Sequence, residues 1–168
     1  MASDKPKGIP FTIAVDFDGC ICEYDFPRCG QPRRDVIELL RHLRTKGWRI
    51  IVHSSRVNQC WPNNEWVEKV SDMLNFLTMH CVPFHEIWGL HTVYEGAMGD
   101  LGCRWVFELN RAHTGKPVAH VYLDDRALFA TRFPRGTSPE CAASTLESLC
   151  ISIADAAERG YRKGLDSA

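Results

Sequence analysis

No apolar run in this sequence approaches the roughly 20 residues that a membrane-spanning helix needs. Neither sign of charge dominates, with 20 Lys and Arg against 21 Asp and Glu. That balance removes the global field that would draw in nucleic acid or an anionic membrane surface. Nucleic acid is therefore disfavoured as a partner, and only a local cluster such as Arg28, Arg33 and Arg34 would recruit it. Internal repeats and low-complexity tracts are absent. The first residues, Met1 to Gly8, carry no apolar core of the signal-peptide kind and read as a disordered lead-in over 1–10, so the expected location is the cytoplasm. Paired Cys-x-x-Cys spacing is also missing, although the chain has 8 cysteines. Without a secretory context a disulfide framework is not expected. Neither Cys20, Cys22 and Cys29 nor His80, Cys81 and His85 has the spacing of a structural zinc site.

The 168 residues, 45% of them hydrophobic, suffice for one domain with a real core. Its expected extent is 11–163, followed by a tail at 164–168. Short apolar runs at 11–16, 48–53, 84–88 and 118–123 read as strands buried on both faces. Residues 34–46, 64–81 and 139–159 carry apolar positions at helical spacing. The alternation of strands and helices predicts an α/β fold: a Rossmann-like three-layer sandwich around a parallel sheet. Two segments fit no regular element. Residues 19–33 read as a flap, and residues 89–115, rich in glycine, read as a lid-like insertion.

The chemistry gathers at the strand ends. The first apolar run closes in Asp16-Phe17-Asp18-Gly19, the second in His53-Ser54-Ser55-Arg56, and the last in Asp124-Asp125, with Lys116 just before it. In an open parallel sheet, ligands bind beyond the carboxyl ends of the strands. Asp16, Ser54 and Asp124 should therefore meet at one edge. Clustered carboxylates repel one another unless a divalent cation sits among them, and Mg2+ prefers oxygen ligands while keeping water and substrate phosphate in its shell. Asp16 would then attack phosphorus as nucleophile. Asp18 would protonate the leaving oxygen and later activate water. Ser54 or Ser55 would donate to the phosphoryl oxygens, and Lys116 would offset their charge, with Lys69 and Arg56 as alternative cations. Gly19, Ser55 and Arg56 are candidate substrate contacts. Asp16, Asp18, Asp124 and Asp125 form the candidate metal set. The remaining histidines and the tryptophans read as structural.

These four motifs, in this order, resemble the haloacid dehalogenase superfamily over roughly residues 11–133. The resemblance implies a Rossmann-like sheet, a Mg2+ requirement and an aspartyl-phosphate intermediate. Dehalogenase members lack an acid at the position of Asp18, so its presence points to phosphate ester hydrolysis. Bacterial receiver domains share the carboxylate, hydroxyl, lysine and magnesium set, but their acid pair precedes the phosphorylated aspartate. Here the pair comes last.

The expected function is a Mg2+-dependent phosphatase acting on a phosphate monoester. The alternatives are a nucleotidase, a polynucleotide-end phosphatase, or a non-catalytic regulatory domain on the same scaffold. Too few residues follow Asp18, and too few lie in 89–115, for a large cap domain. The expected site is thus open, suited to a small or macromolecular phosphorylated substrate or to completion by a second copy of the chain.

Overall fold

The computed structural model describes residues 10–58, 62–98, 102–113, 115–124, 138–148 and 151. Its centre is a four-stranded parallel sheet built from β1 (Thr12–Asp16), β2 (Arg49–His53), β3 (Glu86–Ile87) and a later strand, β6 (Val121–Leu123), in the order β3-β2-β1-β6. Ile13 and Val15 of β1 and Ile50 and Val52 of β2 join the main apolar cluster. Ala14 and Ile51 point to the opposite face and are buried too, at 0% and 3% exposure. Both faces are therefore covered, which is why these strands read as unbroken apolar runs. This is the Rossmann-like α/β sandwich expected from the sequence.

Helices α1 (Arg34–Thr45) and α2 (Glu65–Met79) follow β1 and β2. They bury Val36, Leu39, Leu40 and Leu43, and Val70, Met73, Leu74 and Leu77, in that cluster. The guanidinium of Arg41 joins the two helix ends by donating to the carbonyls of His80 and Cys81. Cys81 lies past the end of α2, exposed and at φ 49°. The last helix, α3 (139–148), contributes Ala142, Ala143 and Leu146 to the core. It is tied to the body where Glu147 accepts from Lys46 Nζ (2.9 Å) and Trp48 Nε1 (3.3 Å). The rest of the expected 139–159 helix lies outside the described residues, apart from helical Ile151.

Two of the expected strands are shorter than their apolar runs, because histidines take over the first rungs. His85 Nδ1 accepts from Ile50 N–H (2.9 Å) while His85 N–H donates to Ile50 O (2.9 Å). His120 makes the same pair of bonds with Thr12, at 3.0 and 2.9 Å. Both histidines stand at the amino edge of the sheet, far from the strand ends that concern the site.

The segment expected to be a lid contains an antiparallel hairpin instead, β4 (Leu90–Met98) and β5 (Gly102–Leu109). Its contacts say where it goes. Phe107 meets Trp66 edge-on near the start of α2, with ring centres 5.7 Å apart. Trp105 Nε1 donates to Asn75 Oδ1 (2.7 Å) about two and a half turns further along that helix. A helix that connects parallel strands runs back toward their amino ends. The hairpin therefore lies along α2, heading away from the strand carboxyl ends, as a buttress rather than a cover.

Residues 19–33 form an irregular but closed flap. Glu23 N–H donates to Gln31 O (2.8 Å) and Arg33 N–H to Ile21 O (2.9 Å). Gly30 is required where the two sides meet, since a Cβ there would sit 2.1 Å from the Glu23 carbonyl oxygen.

Candidate functional site

The register of the sheet decides which side chains meet. Asp16 pairs with His53 across β1 and β2. Val15 pairs with Leu123 across β1 and β6, so Asp124 follows in line with Asp16. In-register residues of parallel strands share a face and stand about 4.8 Å apart per strand. His53, Asp16 and Asp124 therefore form one row across the carboxyl end of the sheet. It lies on the face of Ala14 and Ile51, opposite the one packed on α1 and α2.

Lys116 Nζ reaches this row and pairs with Asp124 Oδ2 at 3.2 Å. Asp16 Oδ1 accepts from the N–H of Phe17 (2.7 Å), which orients its carboxylate at the strand end. Ser54 stands one residue past β2. Its Oγ accepts from Arg56 N–H (3.1 Å), a serine turn that fixes the hydroxyl at the strand end and leaves its O–H to donate. Ser55 is exposed beside it. Gly19 occupies the turn after Asp18 at φ 84°, a left-handed conformation that glycine adopts without strain, and its carbonyl accepts from Arg33 Nη1 (3.0 Å).

Asp18 is placed elsewhere. The chain turns after β1, with Ile21 N–H donating to Phe17 O (3.0 Å), and the Asp18 side chain enters the body of the protein. It is 6% exposed and forms a two-pronged ion pair with Arg56, Nε to Oδ2 at 2.9 Å and Nη2 to Oδ1 at 2.7 Å. The rest of the guanidinium is engaged as well. Nη1 donates to Pro27 O (3.0 Å) and Nη2 also donates to Arg28 O (2.8 Å). The rings of Phe17 and Phe26 lie on it, each centre 5.2 Å away. Burial pulls Arg56 toward neutrality, but the hydrogen bonds and charge of Asp18 outweigh it and raise its pKa, so it stays charged.

Two expectations are thereby corrected. Arg56, 0% exposed with four of its five N–H donors committed to Asp18, Pro27 and Arg28, is not a substrate contact. The Asp18 side chain faces Arg56 rather than a metal shared with Asp16. Nearby thiols follow the same environment. Burial first, then the charge of Asp18, pushes Cys22 up to about 12, and burial raises Cys29, so neither is a reactive thiolate.

Asp125 and Trp61 lie outside the described residues. His53, a residue that reads from the sequence as structural, closes this row on β2. Its Nε2 is buried without a hydrogen-bond partner among the described residues, and its ring lies within electrostatic reach of Asp124 and Lys116. The available signal was positional, a polar residue closing β2 directly beside Asp16.

Burial depresses the pKa of His53, and burial followed by the charges of Arg44 and Arg49 depresses that of His85, each from 6.5. The unfolded chain then takes up protons that the native state refuses. Their contribution to stability is complete above about pH 6.5 and shrinks as the pH falls toward the folded-state values. The urea midpoint should be lower at pH 5.5 than at pH 8; an equal or higher midpoint would contradict this account.

No helix among the described residues is long and apolar enough to cross a membrane. No protein-family model matches the chain, and no curated protein matches it. Among solved structures it is similar to a conserved protein from Bacteroides thetaiotaomicron, with 23% identity over 71% of this chain and 79% of that one, at a TM-score of 0.48. It is also similar to a protein from Vibrio cholerae, with 28% identity over 46% of this chain and 67% of that one, at a TM-score of 0.38.

Proposed function

We propose that the chain is a Mg2+-dependent phosphohydrolase of the haloacid dehalogenase type, with Asp16 as nucleophile toward a phosphate monoester. One observation carries this reading: Asp16 and Asp124 stand in line at the carboxyl ends of adjacent strands, with Lys116 on Asp124. Two carboxylates at that spacing suit Mg2+, which binds proteins through one or two carboxylates and fills its shell with water and substrate phosphate. The carboxylate pair would hold magnesium through Asp16 and Asp124, with Asp125 beside them in sequence. Bound there, the cation would neutralise charge on the phosphoryl oxygens.

The chain's own residues do the rest. Asp16, oriented by the Phe17 N–H, presents a carboxylate oxygen to phosphorus. Ser54 donates its hydroxyl to a phosphoryl oxygen, and Lys116 balances the charge that accumulates there. The described strands of the buttressing hairpin, β4 and β5, run away from the strand ends, which supports an open site.

One observation favours the non-catalytic alternative: the ion pair with Arg56 gives Asp18 a structural reason to exist. Phosphate release separates the two. Purified protein should liberate phosphate from a phosphoester panel with Mg2+ and lose that activity in excess EDTA. A folded sample that turns over no phosphoester with the metal sinks the enzymatic reading.

A further inference from the structure

Lys116 approaches the strand ends from the surface. Its side chain is 67% exposed and meets Asp124 at 3.2 Å, and a long exposed ammonium side chain samples many rotamers. The place of its backbone therefore decides whether the charge stands at the site. That backbone is anchored one residue earlier, and the anchor belongs to the sheet.

β3 pairs with β2 through Ile87 and Val52, and Trp88 N–H carries the parallel ladder one step further by donating to Val52 O (2.8 Å). Trp88 thus stands in line with His53, in the row that holds Asp16 and Asp124, two strand spacings or roughly 10 Å from Asp16. Its indole Nε1–H donates to Gly115 O (2.8 Å). Gly115 sits at φ 71°, where glycine is unstrained. The ring of His113 lies on the indole, parallel to within 3° and 3.9 Å away between centres. His113 is held in turn by Asn110, whose Nδ2 donates to its Nε2 (3.1 Å) and whose N–H donates to Gly89 O (2.9 Å), beside Trp88 in sequence. Gly115 is exposed, so water would satisfy its carbonyl as well as the indole does. The bond completes no core. What it fixes is the starting point of the next residue, Lys116.

Resting on the phosphohydrolase reading, we propose that Trp88 is a positioning residue for Lys116. Its indole, stacked on His113 and bonded to Gly115 O, sets the lysine beside Asp124 and so at the phosphoryl oxygens. Trp88 touches neither substrate nor metal in this role and acts only through the lysine.

The test is a double-mutant cycle on kcat and KM for p-nitrophenyl phosphate with Mg2+, with Asp16→Asn as the blank. Trp88→Phe keeps a ring against His113 and removes the indole donor. It should lower kcat by at least about tenfold with KM within about twofold, since a misplacement of about 1 Å costs up to about 10²-fold. Lys116→Ala should be slower than the parent by about 10²-fold, the low end for loss of a charge-stabilising group. In that background Trp88→Phe should change kcat by less than about twofold, because the group it places is gone. A purely structural tryptophan would instead give the same loss in both backgrounds, with a lower melting temperature. Where Lys116→Ala falls to the blank, the same cycle is read on the Kd of inorganic phosphate with Mg2+, by the same criteria. If Trp88→Phe does not fold, His113→Ala, which removes the stack, enters the cycle with the same expectations. Equal losses in the two backgrounds, a loss below about threefold in the parent, or a Lys116→Ala protein as fast as the parent overturns the inference and leaves the phosphohydrolase reading standing. A folded parent with no Mg2+-dependent turnover overturns both.

Discussion

Asp16→Asn should lower Mg2+-dependent phosphate release by at least about 10³-fold, because the change removes the nucleophile and not merely a binding contact. The fold should tolerate it. Asparagine has nearly the same volume, and its carbonyl oxygen can still accept the Phe17 N–H bond that Asp16 Oδ1 accepts at 2.7 Å. Removing one of two adjacent carboxylates also relieves repulsion with Asp124 when no cation is present. The melting temperature should therefore be unchanged or slightly higher while activity disappears. Measured together, activity and melting temperature separate loss of chemistry from loss of structure. Residual activity within tenfold of the parent would assign the nucleophile elsewhere.

Arg56→Ala should destabilise the protein by about 3–5 kcal/mol, the usual result of stranding one member of a buried pair. For a chain of this size that is a fall in melting temperature of roughly 6–20 °C. The loss is large because several groups are abandoned at once: the Asp18 carboxylate and the carbonyls of Pro27 and Arg28. Arg56→Lys should recover little, since an ammonium cannot reproduce the planar fork or lie between the Phe17 and Phe26 rings in the same way. Asp18→Asn combined with Arg56→Met should cost less than Arg56→Ala alone, because no buried charge remains unpaired. Denaturant melts of the four proteins give these differences directly. A loss below about 1 kcal/mol for Arg56→Ala would mean that the pair behaves like an exposed salt bridge.

The sheet was legible because its signal is local. Residues 12–16 and 49–53 are short β-branched runs, and strands buried on both faces must look like that. Their carboxyl ends were legible for the same reason, since a polar residue that closes such a run marks the edge. The hairpin was not. Gly96 and Gly102 lie within its strands, paired with Arg104 and Met98, and glycine in a run is a signal for irregular chain until the partner strand is known. Nor was the role of Asp18. Its partner is 38 positions away in sequence, and the pairing follows only from the register that sets Asp16 beside His53. That register carries Asp18 and Arg56 just past the ends of neighbouring strands, where opposite charges close on each other. Without it, an acid two residues from a nucleophile looks like its helper.

The guanidinium of Arg56 is also a statement about the order in which the chain can assemble. It ties the turn after β1 and the middle of the flap to the turn after β2, 29 positions beyond Pro27 in sequence. The flap carbonyls of Pro27 and Arg28 have their donor only once β2 has docked in register on β1. Ordering of residues 23–31 is thus a downstream event of strand pairing, and the flap belongs to the same cooperative unit as the β1–β2 pair. Amides that close the flap, such as Glu23 N–H on Gln31, should exchange with solvent in step with that strand pair rather than as an independent loop.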